Sequence, residues 1–146
     1  MGTKVREVMT ARPRSVTPQT PLNEVAQLMA ADDVGSIPVV EGDRLVGIVT
    51  DRDIVVRAIA KDKDTRGMPV SEVSSRELVT VDPEDDLSDA LKLMAQHQVR
   101  RLAVTEGGER LVGVVSQADV ALNTKSKDTG ELLEDISQPP QGPRTS

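Results

Sequence analysis

The stretch Arg44-Leu-Val-Gly-Ile-Val-Thr-Asp-Arg-Asp53 occurs a second time, with few changes, as Arg110-Leu-Val-Gly-Val-Val-Ser-Gln-Ala-Asp119. In both copies an apolar segment typical of a strand runs into a hydroxyl residue, and an aspartate follows three positions later. Self-similarity of this length indicates that the chain is built from two structural repeats. It also implies two equivalent places for whatever the motif does.

The likeness extends outward from this motif. Going backwards, Val39 matches Val104 and Met29 matches Met94 at a constant offset of 65 residues, and one extra residue enters the turn before Arg110. Turns tolerate such insertions best. We therefore predict a first domain over residues 1–66, with a charged linker from residue 61, and a second domain over residues 67–125. Residues 126–146 are predicted to be a polar tail, with a weak helix over 128–137 and disorder after it.

Composition limits what the chain can do. Its 146 residues carry a net charge of −6 and contain no Phe, Tyr, Trp or Cys and a single histidine, His97. Disulfides, thiolate catalysis and Cys-ligated zinc are excluded, and an acidic chain is a poor match for nucleic acid. No apolar run approaches the ~18 residues of a membrane span, and the N-terminus does not resemble a signal peptide. We expect a cytoplasmic protein with no membrane partner.

Each repeat is predicted to form β-α-β-β-α, which gives a mixed α/β (α+β) protein. Leu22, Val25 and Met29 recur at helical spacing, and Thr20-Pro21 resembles a helix start, with Thr20 as the capping hydroxyl. Two strands around a tight turn come next, and a second helix is predicted from Thr50 or Ser116. In the first repeat this second helix is expected to have one apolar face formed by Ile54, Val55, Ala58 and Ile59.

The repeated motif permits two interpretations. Thr50 with Asp53, and Ser116 with Asp119, fit the [ST]-x-x-[DE] capping box of a helix start. Alternatively, unpaired N–H groups at the helix start suit a phosphate, and the carboxylate could accept hydrogen bonds from a ribose diol. In that case a glycine three residues before the hydroxyl leaves room for a ligand to approach. Spacing alone does not separate the two interpretations.

Five pieces of the sequence, in the same order in both halves, carry a resemblance to a known family. They are Val5-Arg-Glu-Val-Met-Thr10, Ser36-Ile-Pro-Val-Val40, Gly47-Ile-Val-Thr-Asp-Arg-Asp53, His97-Gln-Val-Arg-Arg-Leu-Ala-Val104 and Gly113-Val-Val-Ser-Gln-Ala-Asp119. Over about residues 4–124 the chain resembles a pair of CBS domains, named for cystathionine β-synthase, that is, a Bateman module. The resemblance implies a pseudo-twofold disc with two clefts between the repeats for an adenosine-containing ligand: AMP, ADP, ATP or S-adenosylmethionine.

The resemblance also implies the residues of these two sites. Thr50 and Asp53 would hold ribose and phosphate in one site, and Ser116 and Asp119 in the other. The residues implied to line the adenine slots or contact phosphate are Ser15, Val16, Gly35, Ser36, Ile37, Pro38, Thr80, Arg100, Arg101, Leu102 and Ala103. Since Arg100 and Arg101 replace Gly35 and Ser36, the sites are expected to be unequal. The two guanidiniums could bind a polyphosphate, or could instead pair with acidic residues.

The predicted function is a regulatory module that binds an adenosine-containing ligand and signals to an unknown effector protein. No cofactor, metal or catalytic residue is expected. The alternative is a ligand-free structural or protein-interaction module, in which Thr50 and Ser116 only cap helices. An enzyme is disfavoured because the sequence shows no nucleophile–base pair and no GxxxxGK[ST] phosphate loop. We also expect a homodimer through apolar faces around residues 54–59 and 120–122.

Overall fold

A computed structural model describes residues 2–127, and within them the predicted mixed α/β class is confirmed. The predicted helix at 128–137 and the tail after it lie outside the described residues. Three short 3-10 helices cover Val5–Glu7, Ile59–Lys61 and Val70–Glu72 of this part of the chain. The other elements are, in order, β1 (Thr10–Ala11), α1 (Leu22–Asp32), β2 (Ser36–Glu41), β3 (Arg44–Thr50), α2 (Asp51–Arg57), β4 (Thr80–Val81), α3 (Leu87–His97), β5 (Arg101–Glu106), β6 (Arg110–Ser116) and α4 (Gln117–Lys127).

The described residues form two compact units, each assembled from segments that are distant in sequence. The first-repeat unit contains residues 14–78 and 109–111, and the second-repeat unit contains residues 2–13, 79–108 and 112–127. The leading segment of each repeat, residues 2–13 for the first and residues 68–75 for the second, thus packs with the body of the other repeat. The predicted boundaries 1–66 and 67–125 follow the repeats along the sequence, whereas the compact units follow contacts in space.

In the first-repeat unit, β2 and β3 form an antiparallel pair in which Ser36 lies opposite Thr50. The extended piece at Val16 adds a parallel bridge on the outer side of β2, where Val16 N donates to Pro38 O at 3.0 Å. Successive strand side chains point to opposite faces, so every second residue faces the core. The buried cluster of this unit includes Leu22, Val25 and Met29 from α1, Ile37 and Val39 from β2, Val49 from β3, and Ile54 from α2.

The leading segment of the second repeat completes this core. Val70 and Val73 are fully buried in the cluster of the first-repeat unit. Val70 N donates to Thr20 O at 2.8 Å, and Ser75 exchanges backbone hydrogen bonds with Ile48 of β3. Because the segment is both buried and paired through its backbone, it is part of this unit and not a linker.

The second-repeat unit repeats the arrangement. β4 pairs in parallel with β5, Thr80 lying opposite Ala103, and β1 pairs antiparallel with β6. The leading segment enters through Val5, which is fully buried in a cluster with residues of α3, β5, β6 and α4. Val5 N donates to Asp85 O at 2.9 Å. An equivalent segment therefore closes each core.

The predicted cap of the first helix was wrong. Helix α1 begins at Leu22 because Pro21 keeps an extended backbone, and Thr20 accepts a hydrogen bond from Thr17 N instead of capping the helix. The predicted apolar face of the second helix lies partly in the core and partly at the surface. Helix α2 ends at Arg57. Ile54 and Ala58 are buried, whereas the side chains of Val55 and Ile59 remain 52% and 57% exposed.

The glycines before the repeated hydroxyl residues face the chain itself. A Cβ on Gly47 would lie 3.1 Å from Ser75 O, and a Cβ on Gly113 would lie 2.5 Å from Met9 Sδ and 3.0 Å from Thr10 O. The sequence predicts that these glycines leave room for a ligand. The structure shows that the leading segments occupy that room, because they run alongside β3 and β6.

Replacing Gly113 by alanine is expected to destabilise the protein more than replacing Gly47. The new methyl group at residue 113 forces Met9 and the backbone at Thr10 to move, and overpacking of this kind costs about 1–3 kcal/mol. Urea unfolding measures the difference. Gly67→Ala is the control, since a Cβ there meets no atom within 4 Å. Equal stabilities of the three variants would show that the leading segment does not pack tightly against Gly113.

Candidate ligand-binding site

The first-repeat site is organised around the start of α2. Thr50 Oγ1 accepts a hydrogen bond from Asp53 N at 3.0 Å, and Asp53 Oδ2 accepts one from Thr50 N at 2.9 Å. This is a complete capping box, and it orients both side chains without any ligand. The Asp53 side chain is 17% exposed, so part of the carboxylate still reaches the surface.

The first backbone amides of α2 already have acceptors. Asp51 N donates to Gly35 O at 2.9 Å, Arg52 N donates to Asp51 Oδ1 at 2.8 Å, and Asp53 N is taken by Thr50. The sequence predicts unpaired N–H groups that would suit a phosphate, and the structure differs because loop and side-chain oxygens fill these positions. Any anion held here must be bound by side chains.

Several sequence-predicted residues come together beside Thr50. Ser36 pairs with Thr50 across the two strands, Gly35 O contacts the start of α2, and Pro38 O receives the amide of Val16. Ser15 and Ser36 are half-buried, whereas Gly35 and Pro38 are buried. The side chains of Ile37 and Val16 instead pack in the hydrophobic cluster.

The second-repeat site repeats this geometry. Ser116 Oγ accepts from Asp119 N at 3.0 Å, and Asp119 Oδ2 accepts from Ser116 N at 3.3 Å. Gln117 N donates to Arg100 O at 2.8 Å, as Asp51 N does to Gly35 O in the first repeat. On the neighbouring strands, Thr80 is half-buried and Ala103 is buried opposite it. Leu102 belongs to the hydrophobic cluster.

The two sites differ in charge. Arg100 is exposed and Arg101 is half-buried, and they occupy the positions that Gly35 and Ser36 occupy in the first repeat. At these two positions the second repeat therefore carries two guanidiniums and the first repeat none. This difference follows from the sequence alone, and the structure adds that the Arg100 backbone contacts the start of α4.

Sequence reasoning missed Arg57. Its Nε lies 3.9 Å from Asp53 Oδ1, and its Nη1 donates to Val73 O at 3.3 Å. The i,i+4 spacing from Asp53 to Arg57 is the favourable orientation for an ion pair on a helix, so this signal was available in the sequence. The contact to Val73 was not, because it depends on which unit the leading segment joins.

The family assignment rests on a match to both repeats. The sequence pattern that describes the CBS domain matches residues 5–59 and 70–123. The chain belongs to the CBS-domain family. The predicted recognition of a CBS-domain pair is thereby confirmed, and the structure places the matched residues in two units of equivalent fold.

Relatives of similar length carry the same CBS pair. The CBS domain-containing protein YhcV of Bacillus subtilis is 45% identical over 134 residues, which cover 91% of this chain and 94% of that protein. A crystal structure of Hypoxic Response Protein I with two coordinated zinc ions is 36% identical, with a TM-score of 0.76, over 82% of this chain and 98% of that one. A structure of CBSX2 in complex with AMP is 26% identical, with a TM-score of 0.76, over 86% of this chain and 98% of that one.

Other features of the CBS pair lie away from these sites. A shallow depression of about 330 Å³ in the first-repeat unit is lined by residues of the linker and the leading segment, namely Lys63, Asp64, Gly67, Met68 and Glu72. Within residues 2–127, no three His, Asp or Glu side chains are grouped so that they could hold a metal ion. None of the helices described in this range has the length and apolar character that crossing a membrane requires.

Proposed function

We propose that this CBS pair is a cytoplasmic regulatory module that binds an adenosine-containing ligand, such as AMP, ADP, ATP or S-adenosylmethionine, and passes its occupancy to an effector protein. One observation carries the proposal. In each unit a hydroxyl residue and an aspartate, fixed by a capping box, lie beside the strand residues that resemblance assigns to adenine. The AMP complex of CBSX2, a structural relative, supports this class of ligand.

The ribose contact would be made by the aspartates. In each box only one carboxylate oxygen, Oδ2, accepts the backbone N–H. An ionised carboxylate has about four lone-pair positions, so Asp53 and Asp119 retain capacity for a diol. Hydrogen bonds to a charged acceptor are the stronger kind, at about 1.5–3 kcal/mol each. The two capping aspartates are therefore suited to a second role in ligand binding.

The adenine ring would rest on backbone and aliphatic surfaces, because the chain has no aromatic side chain to stack on it. In the first-repeat unit these surfaces come from Ser15, Ser36 and Pro38. Phosphate would be bound by side chains, since the amides of Asp51 and Asp53 are already paired. Arg100 and Arg101 make the second-repeat unit the better site for a ligand with several phosphates.

A melting-temperature screen of the whole chain with AMP, ADP, ATP, S-adenosylmethionine and, as a control, GMP tests the proposal. Ligand at about 100 times its dissociation constant stabilises the folded state by about 2.7 kcal/mol. For a protein of this size the shift would be on the order of 5–10 °C. A shift with adenosine compounds and none with GMP is the expected result. Absence of any shift would favour the alternative, a ligand-free interaction module.

We further propose that the chain forms a homodimer through its exposed apolar helix residues. Val55, Val56 and Ile59 are exposed on the first-repeat unit, and the Leu122 side chain is 64% exposed on the second-repeat unit. Contiguous exposed apolar residues mark interaction surfaces. A two-fold dimer presents the same surface from both copies, so one apolar patch can cover another.

Replacing both Val55 and Ile59 by serine is expected to convert the dimer to a monomer. The two changes remove apolar area from the proposed interface without touching the buried Ile54 or Ala58. Light scattering at micromolar concentration measures the mass. Leu91→Ser is the control, because Leu91 is an exposed apolar residue on α3, a helix that contributes no residue to the proposed interface. A monomeric parent protein would contradict the proposed dimer.

A further inference from the structure

Arg57 connects the proposed ligand carboxylate to a segment of the other repeat. Its guanidinium lies 3.9 Å from Asp53 Oδ1 and donates from Nη1 to Val73 O at 3.3 Å. Val73 lies in the leading segment Met68–Ser75, which packs in the first-repeat unit and continues along the chain into the second repeat. One side chain thus contacts both the proposed binding residue and the segment that joins the repeats.

The Asp53 carboxylate divides its two oxygens between different partners. Oδ2 is committed to Thr50 N, while Oδ1 faces Arg57. A diol bound through Asp53 Oδ1 would share that oxygen with the guanidinium. Because the guanidinium is a rigid planar fork, a change in its position at Asp53 also changes its position at Val73.

The second repeat has no cation at the matching position. The position that matches Arg57 is Asn123, whose side chain is uncharged, so Asp119 lacks a guanidinium four residues later on its helix. The two capping boxes themselves are alike. The two aspartates therefore differ in the residue that stands four positions later on the helix, which is Arg57 for Asp53 and Asn123 for Asp119.

We propose that Arg57 is a positioning residue that couples Asp53 to the segment Met68–Ser75, so that occupancy of the first-repeat site, and not of the second, changes the stability of that segment. The coupling rests on the proposed function for its ligand. Its structural part, the link from Asp53 through Arg57 to Val73, does not need the ligand. Coupling is reciprocal, so a change at either end must be felt at the other.

Hydrogen exchange of the Ser74 and Ser75 amides tests the link in the ligand-free protein. These amides donate to Val70 O and Ile48 O, so their exchange reports opening of the segment. Asp53→Asn is expected to raise their exchange about 2- to 5-fold when Arg57 is present and to have no effect in an Arg57→Gln background. Additive effects of the two substitutions would overturn the proposal.

The second-repeat unit provides the matched control. Asp119→Asn should leave the exchange of Met9, which donates to Val5 O in the corresponding leading segment, unchanged. Arg57→Lys should restore part of the coupling, because it keeps the charge but loses the fork. A purely structural Arg57 would instead lower stability without any dependence on Asp53.

AMP serves as the probe of occupancy. In the parent protein, AMP is expected to change exchange at Ser74 and Ser75. In Arg57→Gln it should still raise the melting temperature, with affinity raised about 2- to 5-fold because no guanidinium competes for Asp53 Oδ1, but leave that exchange unchanged. An exchange response that survives in Arg57→Gln would overturn the proposal. Failure of every adenosine compound to bind the parent protein would refute the proposed function. The ligand-free exchange experiment with Asp53→Asn and Arg57→Gln would still test the link through Arg57.

Discussion

The double variant Asp53→Ala, Asp119→Ala is expected to lose most of its affinity for the ligand that stabilises the parent protein. Each aspartate would accept charge-assisted hydrogen bonds from a ribose diol. Removing such an acceptor costs about 1.5–3 kcal/mol at each site, which is about 10- to 100-fold in the dissociation constant. Calorimetry measures the affinity, and the ligand-induced melting shift of the parent protein should be absent from the variant.

Loss of capping must be separated from loss of binding. Removing a capping side chain costs about 1 kcal/mol of stability, so the variant should still be folded and melt near the ligand-free parent. Asp51→Ala is the control, because Asp51 is exposed and its side chain accepts only from the adjacent Arg52 N among the hydrogen bonds described here. The single variants are expected to differ, since Arg100 and Arg101 would support only the second site. Unchanged affinity in the double variant would return both aspartates to a capping role.

Deleting residues 2–11 is expected to unfold the second-repeat unit. The deletion removes Val5, which is fully buried, and the β1 strand that pairs with β6. Burial of one valine contributes about 1.5–3 kcal/mol, and each lost backbone hydrogen bond adds about 0.5–1.5 kcal/mol. Together these losses approach the total stability of a small domain, about 5–15 kcal/mol. Thermal unfolding followed by circular dichroism should show a smaller or absent cooperative transition.

The control for this deletion is at the other end of the chain. Deleting residues 138–146 is expected to leave folding and ligand binding unchanged, because that segment contains three prolines and no residue suited to a core. These residues lie outside the described part of the structure, so this expectation rests on sequence alone. If the variant without residues 2–11 unfolded as cooperatively as the parent protein, the leading segment would not be part of the second-repeat core.

Much of the candidate site could be predicted because its signals are local. A hydroxyl residue followed three positions later by aspartate forms a capping box through contacts within one helical turn, and both copies do so. Local geometry of this kind depends on neighbours in sequence, and sequence patterns describe those neighbours directly.

The two glycines show what a local sequence pattern cannot predict. Gly47 and Gly113 signal a close approach of something to the strand, and that part of the expectation holds. What approaches is the leading segment of the other repeat, through Ser75 or Met9 and Thr10. A missing side chain indicates that space is needed but contains no information about which atoms use it.

The sequence by itself determined the two repeats, the mixed α/β class, the helix and strand positions to within a few residues, and the capping pairs. Only the tertiary structure decided which leading segment closes which core. Val5 and Val8 have the same spacing as Val70 and Val73, so either segment could fit either unit by pattern alone. The choice, and with it the contact of Arg57 with Val73, depends on contacts between residues far apart in the chain, which no local periodicity encodes.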